Sequence, residues 1–186
     1  MKLFGSDPWA KAAGGLYARA IERARHPALF GVAGVPDTLD GRFETLTLHV
    51  FLLLHRLKNQ GPDAAALGRA LSEALVAGFD TALREMGAGD LGVGRRVRRM
   101  ADGFHGRVGA YDAALDSGDE DLAAAIGRNV YGTRPPPAGA AAAMAAYIRA
   151  SVAVLKAQPL EALLAGTADF GPPPESWLDR GDGRPK

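Results

Sequence analysis

Between Asp90 and Leu115 the apolar residues Val93, Val97, Met100, Phe104, Val108, Tyr111 and Leu115 recur at intervals of three or four. At about 100° per residue they fall in one narrow stripe, which predicts an amphipathic helix with that edge on a core. The remaining sides carry different chemistry. Arg95 and Arg99 point away from the stripe, Arg96 and Arg107 share one flank, and Arg98, His105 and Asp112 share the other. These arginines either solvate an outer surface, with Asp102 at helical spacing from Arg98 and Arg99, or form a basic face for a partner. Gly103, Gly106 and Gly109 all avoid the stripe, at a propensity cost of about 0.8–1 kcal/mol each. They are expected either to admit the close approach of a second element or to mark a break near Gly103.

The same rhythm extends through the chain. Asp7-Pro8 opens a helix whose inner face is Trp9, Leu16, Ala20 and Ala24, and His26-Pro27 stops it. A glycine-punctuated loop follows from Ala28 to Pro36. The next helix starts at Thr38 or Asp40 and runs to Asn59, with Phe43, Leu46, Val50, Leu53, Leu54 and Leu57 as its core stripe. Leu48, Phe51 and Leu52 form a second apolar set on the opposite side. That leaves two readings: a central helix buried all round, or an exposed strip in which Leu48, Phe51, Leu52 and His55 hold a client.

Gly61-Pro62-Asp63 turns the chain into a long helix through Leu67, Leu71, Leu75, Phe79, Leu83 and Met86. Beyond the central stretch, a short helix covers Leu122 to Tyr131 and an alanine-rich one runs from about Gly139 to Gln158. Leu160–Leu164 adds a further turn. No strand alternation occurs, so the fold is expected to be all-α, a single-domain bundle of about six or seven helices. Its expected limits are residues 1–166, followed by a flexible Pro/Gly-rich tail over 167–186 in which Trp177 is the one candidate anchor.

Composition narrows the function. The formal net charge of +1 argues against a general polyanion binder, so any basic site must be local. With no cysteine there is no disulfide, thiolate metal site or cysteine nucleophile. The N-terminus lacks a signal core, and no stretch approaches the roughly 20 apolar residues that cross a bilayer, so a soluble or peripheral protein is expected.

The motifs that hint at chemistry are decoys. Gly87-Ala88-Gly89-Asp90-Leu91-Gly92 fits the dinucleotide-binding pattern but follows a helix, with no strand before it, and reads as an interhelical turn. The acidic run from Asp116 to Asp121 lacks the closing glutamate of a calcium loop and reads as a turn with a helix start. His26, His49, His55 and His105 supply no helical pair for a metal. Asp40 and Glu44 stand one helical turn apart. They either do acid-base work or, more simply, Asp40 caps the helix and Glu44 pairs with Arg42 or a neighbour. No catalytic residue, metal or cofactor is expected.

The run Asp90-Leu91-Gly92-Val93-Gly94-Arg95-Arg96-Val97-Arg98-Arg99-Met100, with Phe104, Gly106-Arg107 and Ala110-Tyr111-Asp112, resembles the central signature of the ubiquinol-cytochrome c chaperone family. The likeness continues in Arg128-Asn129-Val130-Tyr131, Leu48-His49-Val50 and the block from Asp37 to Glu44. That resemblance implies a non-enzymatic assembly factor that binds newly made cytochrome b of respiratory complex III. It implies further partners of the family kind: a ribosome or inner-membrane surface for Arg95, Arg96, Arg98, Arg99 and Arg107, and a small partner assembly factor, with no role for DNA. The implied location is cytoplasmic and peripheral to the inner membrane for a bacterial chain, or the mitochondrial matrix side for a trimmed eukaryotic one. Two other readings stay open, a basic-faced module for RNA or anionic membrane, and a binder of lipid-like small molecules.

Overall fold

The computed structural model describes residues 8–172, leaving out 86, 88, 89 and 133 and the side chains of 90 and 91. In chain order the helices are α1 (Pro8–Ala24), α2 (Pro27–Phe30), α3 (Leu39–Leu57), α4 (Pro62–Glu85), α5 (Asp90–Ser117), α6 (Asp119–Val130), α7 (Ala140–Ala157) and α8 (Leu160–Leu164). Among the described residues there is no strand. The fold is all-α, as the periodicity predicts; the additional helix is α2, only 4 residues long, in the stretch expected to be a loop, while α8 is the further turn expected at Leu160–Leu164.

The bundle is organised around α3, which packs on α1, α4 and α7 and touches α5 and α6. Leu48, Phe51 and Leu52 are 0%, 1% and 0% exposed, deeper than Phe43, Leu46 and Leu54 on the opposite side. An exposed strip at Leu48, Phe51 and Leu52 is therefore corrected. Five helices contact α3, and the set opposite the ordinary stripe lies deepest among them and becomes the centre of the core. His49 is enclosed with it. Its Nδ1–H donates to the Thr45 carbonyl at 2.7 Å, and its Nε2 accepts from the Tyr147 hydroxyl at 2.9 Å. Burial lowers the imidazole pKa to about 4, so the ring is neutral at physiological pH.

α5 runs unbroken through Gly103, which removes the alternative of a break there. Val93, Phe104 and Tyr111 are buried, and Val97, Met100, Val108 and Leu115 pack against the core from its edge. α7 buries Met144, Tyr147, Ile148 and Leu155. It is also the one described helix long and apolar enough to cross a membrane, at 18 residues, a length the sequence reading discounted. Packing on α3 and α6 buries 44% of it.

The tail boundary at residue 167 lies too early. Phe170 is buried, and Arg23 donates to the carbonyls of Gly171 and Pro172 at 2.9 Å each. Gln158 adds two hydrogen bonds to Asp169, so residues 167–172 are tied to α1 and α7. Residues 173–186, including Trp177, lie outside the described residues. So do Ala88 and Gly89 of the glycine-rich decoy, which follows α4 and leads into α5.

Candidate functional site

Two different surfaces share α5 as a wall. On one side α3, α4 and α5 enclose an open groove of about 830 Å³. Leu54, Ala65, Val76, Ala77 and Val97 give it an apolar lining, and Glu73, Asp80, Arg69 and His105 supply its polar groups. The small residues Ala65, Gly68 and Ser72 keep α4 shallow there, one helical turn apart. Asp80 is held by Arg84 at 2.6 Å, while the Glu73 carboxylate has no ion pair or hydrogen bond to a described residue.

On the other side, the start of α3, the flank of α5 and the end of α6 enclose a cleft of about 670 Å³. Arg96, Arg99, Arg107, Arg128 and Arg134 line it, with Asp40 and Glu44 as its acids. Glu44 is buried, and a buried carboxylate needs a partner. Arg107 supplies it from α5: Nε donates to Oε2 at 2.6 Å and Nη2 donates to Oε1. The same guanidinium stacks 5.3 Å from the Phe43 ring centroid. Burial holds the Glu44 carboxyl above its ordinary pKa, and the Arg107 charge offsets this only in part.

The expected partner roles therefore change. Glu44 pairs with Arg107, not Arg42, which is bound to Asp37 at 2.6 Å. The helix cap is Thr38, whose Oγ1 accepts from the Gly41 N–H at 3.2 Å, and not Asp40. The one basic face expected on α5 is in fact three environments. Arg95 and Arg98 are exposed on the outside, Arg96 and Arg99 line the cleft, and Arg107 is neutralised. No ion pair joins Asp102 to Arg98 or Arg99.

Gly106 and Gly109 lie on the exposed surface with no atom near the position of a Cβ, and beside Gly103 there is only the Arg107 side chain. These are not close-approach glycines within the fold. Backbone contact occurs instead at Gly15, against the Gly166 carbonyl, and at Gly41, against the Pro36 carbonyl. The Gly41 contact lets the chain double back at the start of α3, beside the cleft.

His55, expected to touch a client, is a link between helices. Its Nδ1–H donates to Asp112 Oδ1 at 2.7 Å, and Lys58 reaches Oδ2 of the same carboxylate at 2.9 Å. Against the upward push of partial burial, Lys58 and His55 hold the Asp112 carboxyl below its ordinary pKa. Among the described residues no group of three His, Asp or Glu side chains gathers as a metal site. Sequence reasoning missed Arg134, the groove residues of α4 and the role of Arg128. The signal for α4 was a second stripe of small residues at helical spacing; Arg134, beyond a helix end, gave none.

The profile described as ubiquinol-cytochrome C chaperone matches residues 32–170. Ubiquinol-cytochrome-c reductase complex assembly factor 1 of Xenopus laevis is 28% identical over 115 residues, 62% of this chain and 58% of that protein. The Homo sapiens protein of that name is 24% identical over 149 residues, 80% of this chain and 50% of the relative. The chain thus spans about half to three fifths of the length of these relatives. The crystal structure of the Cbp3 homolog from Brucella abortus superposes with a TM-score of 0.75 at 37% identity, covering 87% of this chain and 92% of that one.

Proposed function

Because the chain belongs to the ubiquinol-cytochrome C chaperone family, we propose that it is a non-enzymatic assembly chaperone for respiratory complex III and that its client is newly made cytochrome b. The observation that carries this reading is the family match across residues 32–170, which includes every element around both surfaces. In this reading the client docks in the α3–α4–α5 groove, because the chemistry of its lining suits such a client. A transmembrane client presents apolar helix faces and basic cytoplasmic ends. Leu54, Val76 and Val97 match the first, and the unpaired Glu73 matches the second.

The test has two parts. Deleting the gene lowers membrane cytochrome b, read from its b-haem absorbance, and spares the other respiratory complexes; unchanged cytochrome b would reject the function. In the second part, Val76→Asp with Ala77→Arg places charge in the groove on residues outside the core. Cytochrome b no longer co-isolates with that variant, while its circular dichroism and unfolding midpoint stay close to those of the unaltered protein. Normal co-isolation would move the client to another face.

A further inference from the structure

The arginine cleft and a neighbouring apolar cavity share one wall. Beyond Leu39, Phe43 and Met100 lies a cavity of about 480 Å³, with Tyr17, Ile21, Leu46 and Phe79 among its lining. The same three residues border the 670 Å³ cleft. Leu39 is 41% exposed, one of two large apolar side chains so open among the described residues.

The charge in the cleft is unbalanced. Arg107 and Glu44 cancel, which leaves Arg96, Arg99, Arg128 and Arg134 facing Asp40 alone. None of the four guanidinium groups makes an ion pair or hydrogen bond with a described residue. A chain of net charge +1 has thus gathered cations along one concave place, where their mutual repulsion favours an anion. Guanidinium forks match the oxygens of a phosphate, and several of them around one group exceed what a lone carboxylate uses. The apolar cavity next door then selects among phosphates. A free phosphate or a nucleic-acid backbone leaves it unfilled, whereas a hydrocarbon chain fits its lining.

We propose that the cleft binds the phosphate of an anionic phospholipid and that the adjoining cavity receives one of its acyl chains. The site is separate from the client groove and stands whether or not cytochrome b occupies that groove. α5 would then hold client and lipid on opposite flanks, which suits a chaperone working at a bilayer surface.

Isothermal titration of the full chain with dioctanoyl phosphatidylglycerol, below its micelle concentration, tests this. Binding is expected, with dioctanoyl phosphatidylcholine and inorganic phosphate each markedly weaker. Arg96→Ala with Arg128→Ala weakens the lipid roughly thirtyfold. Arg95→Ala with Arg98→Ala, the same charge lost from the outer face, leaves it within about twofold. Ala82→Phe fills the apolar cavity and weakens the lipid without changing the response to inorganic phosphate. Equal losses from the two arginine pairs would reduce the site to diffuse charge and overturn the proposal. So would phosphate binding as tightly as the lipid, or a short RNA displacing the lipid at equal phosphate concentration.

Discussion

The two flanks of α5 are built from the same helix and do opposite things. Toward α4 it offers Val97 and His105 to a shallow apolar groove; toward α3 and α6 it offers Arg96, Arg99, Met100 and Arg107 to a cationic cleft. The difference comes from the neighbours. α4 meets α5 with alanine, glycine and valine, so apolar surface stays open, whereas α3 meets it with buried Glu44, which draws in one arginine and leaves the others unpaired. One stripe on a core leaves a single helix with two chemically distinct sides.

The largest expected effect removes both surfaces together. Leu52→Asp puts a carboxylate at a fully buried position in α3 and costs about 4 kcal/mol or more, so far-UV circular dichroism should show an unfolded chain near room temperature. Arg107→Ala comes next, because it leaves Glu44 buried without its counter-charge. It should cost about 3–5 kcal/mol in urea denaturation, and replacing both residues by leucine should recover most of that loss. A double variant no more stable than the single would show that the pair contributes more than mutual compensation.

A third effect acts through the core beneath both flanks. The folded His49 pKa of about 4 lies below the ordinary 6.5, so the unfolded chain binds the proton more readily. Its contribution is fully present above about pH 6.5 and is lost as pH falls toward 4, by roughly 3 kcal/mol. Denaturant midpoints across that range should fall with pH in the unaltered protein and more shallowly in His49→Gln. The smallest effect concerns only the outer side of α5. Gly106→Ala and Gly109→Ala meet no neighbouring atom and should each stabilise by about 0.5–1 kcal/mol, seen as a higher melting temperature. Destabilisation by either would mean that the outer face is packed in the native assembly.

Much of this was legible in the sequence, because the helical stripe is a local signal. Val93 to Leu115 read as one buried edge, and Arg96 and Arg107 read as sharing a flank, which the cleft bears out. What depends on packing order did not read. Leu48, Phe51 and Leu52 had the same apolar character whether covered or bare, and only the positions of α1, α4 and α7 decide between them. The Glu44 partner lies 63 residues away, beyond any helical spacing rule, while Arg42 stood conveniently near. Thr167 to Pro172 looked like tail for lack of periodicity, yet Arg23 and Gln158 anchor it by its carbonyls and amides, which carry no sequence signature.

The most direct measurement is photo-crosslinking to newly synthesised cytochrome b from a photoreactive residue at position 76, in the groove, with position 11 on α1 for comparison. A strong adduct from position 76 and none from position 11 is the expected result. An adduct from position 11 with none from position 76 would contradict the assignment of the client to the α4 flank of α5.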